Sequence, residues 1–231
     1  MTEPGSRRGR THDAEGAREA ILNAAEQVFA EHGFDGARID AISKVASYNK
    51  SLIFQYFGDK LGLYAEVIRR ADEQTRDLQN EALASFNSET AFSAEQIRGL
   101  LTRFVGWYFD YLLAHPQIMR IYNWELAEGW QTFSKILSQR DFDDIDQFNA
   151  VLGKVQAAGL LRTDLNPIVQ VTPAIFMGAT FLGMLPLYRM MMPAVDLSSP
   201  AALQSARSFF IEFVVHGLFR EPAEARLAPA G

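Results

Sequence analysis

The sequence predicts an all-α protein of about nine helices, arranged as a small N-terminal domain and a larger domain after it. Three observations carry this reading. Apolar residues recur at three- and four-residue spacing along nearly the whole chain, the period of a helix with one buried face. No segment shows the sustained apolar–polar alternation of a half-buried strand. Helix-stop and helix-start residues punctuate the pattern: Gly33, Gly58-Asp59, Ser93, Pro116, Gly159, Asn166-Pro167 and Ser199-Pro200. With 231 residues, 48% of them apolar, the chain is long enough to bury a sizeable core.

Residues 1–14 are polar and basic, and read as a flexible arm without the apolar run of a secretory signal. The first helix is expected from about Glu15 to His32, with Ile21, Leu22, Ala25, Val28 and Phe29 as its buried stripe and Gly33 as its stop. Ile39, Ile42, Val45 and Ala46 form one face of a two-turn helix. Ser47-Tyr48-Asn49 interrupts, and Leu52, Ile53, Tyr56 and Phe57 form the face of another. Asp59 is a good N-cap for a fourth helix carrying Leu61, Tyr64, Val67 and Ile68 inward to about Ala84. A polar loop follows. Five further stretches are expected, over 93–114, 116–128, 131–158 with a possible break near Asp141, 167–192 and 200–219. Residues 221–231 read as a loose tail.

Two very short helices joined by a three-residue turn are the arrangement by which one helix projects into the DNA major groove while the other braces it. Residues 15–77 therefore read as a three-helix helix-turn-helix DNA-binding domain with its motif at 38–57. The expected partner is a double-stranded DNA operator. Arg38, Tyr48, Asn49, Lys50, Ser51, Gln55, Tyr56 and Lys60 are the candidate contacts to phosphates and base edges. The net charge of −6 does not oppose this. Ten basic and ten acidic residues lie between Met1 and Arg70, so the excess of acid belongs entirely to the rest of the chain. Arg7, Arg8 and Arg10 are equally consistent with an arm entering a minor groove and with a basic tail of no function.

The string GFDGARIDAISKVASYNKSLIFQYFGDKLGLYAEVI, with the preceding REAILNAAEQVFAEHGF, resembles the tetracycline-repressor (TetR) family over about sixty residues. Gly33-Phe34 matches the family's Gly-aromatic pair. Ile42 and Ala46 match the anchors of its second helix. Ile53-Phe54-x-Tyr56-Phe57 matches its Leu-Tyr-x-His-Phe, and Asp59-Lys60-x-x-Leu63 its Ser/Asp-Lys-x-x-Leu. The chain departs from the family at Ser47-Tyr48-Asn49, where a Gly-Val-Ser-like turn is usual, at Ser51, where Gly is common, and at Tyr56, where His is common. The resemblance implies a dimeric transcriptional regulator, most simply a repressor, whose second domain binds a small-molecule inducer.

Residues 78–220 then read as the ligand-sensing and dimerisation domain. Its aromatics are dense, and several carry polar handles, as the mostly apolar wall of a small-molecule site does. The candidate ligand contacts are Trp107, Tyr108 and Tyr111 on one helix, and Met119, Tyr122, Asn123 and Trp124 on the next. Phe176, Met177 and Thr180 come from the long apolar helix. The expected inducer is a small apolar or aromatic molecule. Residues 168–188 carry no charge and are long enough to span a membrane. The amphipathic stretch 208–219 can cover them instead, which favours a homodimer interface over a membrane. Phe181, Leu185, Phe209, Phe210, Phe213 and Val214 are the candidate interface residues.

Other function classes find little support. The chain has no cysteine, which removes disulfides and thiolate sites and fits a reducing cytoplasm. No phosphate-binding glycine loop, nucleophile elbow or His-Glu-x-x-His is present. His12, His32, His115 and His216 have no ligand spacing, and the aspartates at 141, 143, 144 and 146 lack the glycine and closing glutamate of a calcium loop. Neither an enzyme nor a bound metal or cofactor is expected.

Overall fold

The computed structural model describes residues 6–87, 93–138, 143–164 and 166–218. Among the described residues there are ten helices and no strand: α1 (Ser6–Gly36), α2 (Ile39–Ala46), α3 (Lys50–Phe57), α4 (Lys60–Asn87), α5 (Ala94–Ala114), α6 (Pro116–Ala127), α7 (Gln131–Leu137), α8 (Asp143–Ala157), α9 (Pro167–Met191) and α10 (Pro200–Leu218). The tenth arises because the expected stretch over 131–158 is two helices, α7 and α8; Asp141 itself, like the tail over 221–231 and most of the polar loop after Asn87, lies outside the described residues.

Side-chain caps set several of the helix starts. Asn49 stands at the start of α3 with its side-chain oxygen accepting the Leu52 N–H at 2.9 Å. Asp59 does the same for the Gly62 N–H at 2.7 Å at the start of α4. Ser93 and Gln96 form a reciprocal capping box that opens α5. At the N-terminus the expectation fails. Helix α1 begins at Ser6, so residues 6–14, expected as a loose arm, are helical. Beyond Pro4 this segment has no proline, and its Arg7, Arg8, Arg10 and Ala14 are good helix formers. Gly33 does interrupt the helix as expected, with a non-helical backbone at φ 68° and ψ −179°, and a short helical turn follows it to Gly36.

The chain divides into two compact units, one of Met1–Arg76 with Pro116–Arg140 and one of Asp77–His115 with Asp141–Gly231. In the first, α1 packs on both α2 and α6. Its core joins Ile21, Leu22, Ala25, Val28 and Phe29 of α1 to Ile42, Ile53, Leu63, Tyr64, Val67 and Ile68. Phe29 and Phe34 meet the Tyr64 ring at centroid distances of 4.8 and 5.1 Å, both edge-on. Arg18 pairs with Glu66 and Arg70 with Glu26, which ties α1 to α4 around that core. Val45, expected inward, is exposed at 48%. Helices α6 and α7, which the sequence reading assigns to the sensing domain, belong to this unit through the contact of α6 with α1.

In the second unit α5 packs on α9 and α10. Ile97, Leu152, Val155, Leu161, Val214, Val215 and Leu218 form one buried cluster, with Met177 of α9 packed against it. Arg207 of α10 donates to the Asp110 carboxylate at 2.9 Å and its guanidinium lies across Gly106 of α5.

Candidate nucleic-acid interface

Helices α2 and α3 have eight residues each, about 12 Å of helix, and a helix of ~10–12 Å diameter fits a major groove ~12 Å wide. Their inner faces are fixed by Ile42, Ala46, Ile53 and Phe57, all buried. The turn between them is pinned twice. The Tyr48 N–H donates to the Ser43 carbonyl at 3.2 Å, and the Ser43 hydroxyl donates to the Tyr48 carbonyl. Ser47 holds a left-handed conformation, φ 59°, at the position where the resembled family carries glycine.

With that back face anchored, Arg38, Asn49, Lys50, Ser51, Phe54 and Gln55 are exposed together, and Tyr48 and Tyr56 are half-buried beside them. Lys50, Ser51, Phe54 and Gln55 follow the helical spacing of one α3 face. Phe54 was not among the sequence-level candidates. At 45% exposure it is a large apolar ring on the outer face of a short helix, and the spacing from Lys50 and Ser51 is the signal that could have found it. Lys50 is held in an ion pair with Asp40 of α2.

Lys60, expected as a contact to the DNA backbone, is also engaged within the unit. Its ammonium donates to the Asp35 carbonyl at 3.3 Å and sits 4.6 Å from the Phe34 ring centroid. Partial burial lowers its pKa, and the charges of Asp35 and Glu128 oppose that shift. Lys60 therefore braces the end of α1 against the start of α4, a role that its sequence position just after the α3–α4 turn does not reveal.

Behind the interface, α6 closes the unit. The Trp124 indole N–H donates to the Ala30 carbonyl at 3.2 Å. Glu125 is fully buried, and its two carboxyl oxygens accept the Tyr64 hydroxyl at 2.7 Å and the Phe133 N–H at 3.1 Å. Burial first, then the bond to Glu125, pushes the Tyr64 phenol far above its ordinary pKa, so it is a fixed donor. Gly33, with φ 68° and ψ −179°, lies directly against the Trp124 ring and the Glu128 carboxyl.

Residues 21–67 match the family model "Bacterial regulatory proteins, tetR family", and residues 98–214 match "Tetracyclin repressor-like, C-terminal domain". The chain belongs to the TetR family. The HTH-type transcriptional repressor NicS of Pseudomonas putida is 31% identical over 158 residues, covering 68% of this chain and 71% of NicS. The HTH-type transcriptional repressor SCO4008 of Streptomyces coelicolor is 33% identical over 116 residues, 50% of this chain and 53% of its own length. Among solved structures, the transcriptional regulator SCO4942 of Streptomyces coelicolor superposes with a TM-score of 0.57 at 26% identity, covering 89% of this chain and 99% of that one. This TetR-family chain is a DNA-binding transcriptional regulator.

The remaining candidate residues of this TetR-family chain fall on both units. Trp107, Tyr108 and Tyr111 lie on α5 of the second unit, with the Trp107 and Tyr111 rings stacked at 5.3 Å. Phe176, Met177 and Thr180 lie on α9 of the same unit. Met119, Tyr122, Asn123 and Trp124 belong to the first unit, where Met119 is buried and Trp124 is engaged with α1. Of the expected dimer residues, Phe210 and Val214 are buried within their own unit, Phe210 edge-on to Phe181 at 5.4 Å and Val214 in the apolar cluster. Phe209 and Phe213, one turn apart, stand out at 58% and 57% exposure, and Leu187 and Met190 of α9 are exposed apolar residues that the sequence reading passed over.

Proposed function

We propose that this chain is a ligand-responsive repressor that binds a palindromic operator as a two-fold dimer and is released by a small apolar or aromatic molecule. The observation that carries the reading is the α3 face itself. Lys50, Ser51, Phe54 and Gln55 project together from a helix whose opposite side is sealed into the core. Lys50 and Gln55 offer hydrogen-bond donors to base edges, and Gln55 an acceptor as well. Phe54 offers an apolar surface for a thymine methyl. Arg38, Asn49 and Ser51 supply donors for backbone phosphates. Selection of bound duplexes from a random pool tests it. The expected outcome is two inverted half-sites about one helical turn, ~34 Å, apart. A pool that shows no enrichment contradicts the reading.

Exposed aromatic side chains one turn apart on α10 support the dimer. A pair of such helices on each protomer leaves apolar surface that water solvates poorly, and a two-fold operator needs two recognition helices. Phe213→Glu is expected to place an unpaired charge in that surface and convert the protein to folded monomers. Sedimentation at micromolar concentration checks this; a variant that stays dimeric moves the interface elsewhere.

For the inducer, α5 and α9 of the second unit supply Trp107, Tyr108 and Tyr111 with Phe176, Met177 and Thr180, an apolar set with hydroxyl handles. Release requires that the molecule bind the DNA-free conformation better, because equal affinity for both shifts nothing. A coupling of about 1–3 kcal/mol lowers DNA affinity roughly 5- to 150-fold. Titration of aromatic compounds, followed by tryptophan fluorescence and by DNA release, reads both halves of the claim. A compound that quenches fluorescence and leaves DNA affinity unchanged removes the inducer role.

A further inference from the structure

Lys50 stands at the first position of α3, where the helix dipole is positive and an ammonium is disfavoured. The structure supplies a counter-charge from another helix: Lys50 Nζ is paired with the Asp40 carboxylate in the first turn of α2. Both side chains remain open to solvent, at 52% and 69% exposure, so the pair sits on the outer face of the motif and not in its core. An ammonium has three N–H donors, and Asp40 uses one. We infer that Asp40 is a specificity-determining residue: it holds the Lys50 ammonium toward base acceptors and keeps it from neutralising phosphates on any passing duplex. This rests on the reading of α3 as the helix that contacts DNA.

The physical consequences differ for the two kinds of DNA. On a duplex without the right bases, a lysine already balanced by an internal carboxylate displaces no counterion from the DNA, so it adds nothing to the salt-dependent attraction. On the operator, Lys50 keeps its bond to Asp40 and donates its remaining N–H groups to a base, with its side chain already placed. Removing the Asp40 charge therefore acts on the ratio of the two affinities. Exposed ion pairs are weak, which limits the change to about two- to five-fold.

The test uses the full chain, a duplex recovered by selection and a scrambled duplex of the same length. Asp40→Asn should bind the scrambled duplex about two- to five-fold tighter, with a salt slope steeper by ~0.9, the contribution of one added phosphate contact. Operator affinity should stay constant or fall. In a Lys50→Met background the same substitution should leave the slope unchanged. Thermal unfolding of each variant shows that the fold is retained. If Asp40→Asn discriminates operator from scrambled DNA as well as the parent protein does, or if its effect persists without Lys50, this inference is wrong while DNA binding through α3 stands. A parent protein that binds both duplexes equally overturns the underlying reading instead.

Discussion

Replacing Glu125 with alanine is expected to cost the first unit about 3–5 kcal/mol. The side chain is fully buried, and each of its oxygens satisfies a donor from a different element: the Tyr64 hydroxyl of α4 and the Phe133 N–H in the first turn of α7. Truncation strands both donors away from water. An unsatisfied buried donor costs about 1–3 kcal/mol, and the lost side-chain volume adds a cavity. Glu125→Gln should fall between, because one oxygen still accepts while the amide nitrogen faces a donor it cannot serve. Tyr64→Phe removes one of the two donors, so Glu125→Ala should cost less in that background than alone. Urea unfolding followed by circular dichroism reads the four variants beside the parent protein. A loss below about 1 kcal/mol for Glu125→Ala would mean that water serves these donors and the network is not structural.

Gly33→Ala is expected to destabilise the same unit by about 2–4 kcal/mol. At φ 68° and ψ −179° the backbone lies in a region open to glycine and strained for every residue with a Cβ. Space is also short. A Cβ there would stand 3.1 Å from both Glu128 Oε1 and Trp124 Cδ2. The Trp124 ring cannot retreat freely, because its N–H is bonded to the Ala30 carbonyl. Gly58→Ala is the control. It also has positive φ, 77°, but nothing stands within 4 Å of a Cβ there, so it should carry backbone strain alone and cost less. Equal losses at the two positions would remove the contact with α6 from the explanation.

These two sites also show where the sequence stopped being legible. Gly33 is legible as a helix stop, and its non-helical backbone agrees, but the sequence does not show what the interruption serves. What it permits is a bend within α1 that brings α6 close, and the partner that needs the space is about ninety residues away in the sequence. The polar handle on Trp124 was read as a ligand contact and proves to be bonded to Ala30. An amphipathic pattern tells which face of α6 is buried but not against which helix. The same limit applies to α10. Phe209, Phe210, Phe213 and Val214 are all apolar, so spacing alone cannot say which pair faces inward; packing against Phe181 and the apolar cluster turns Phe210 and Val214 in. What was legible rests on local chemistry. Asp59, Ser93 and Pro116 mark helix starts, the first two through side-chain oxygens that accept backbone N–H groups and the last through its ring, and the short α2–α3 pair follows from two four-residue apolar faces around a turn.

The central claim is that α3 reads DNA through its outer face. Its most direct test is the affinity of a Lys50→Ala/Gln55→Ala double variant for the duplex recovered by selection, measured beside the unmodified protein at one salt concentration. Each lost base contact is expected to cost roughly 1–3 kcal/mol, with preference lost at the base pairs those side chains face. The double variant should keep its fold, because both side chains are exposed. A folded double variant that binds the selected duplex with unchanged affinity would contradict the assignment of α3 as the recognition helix.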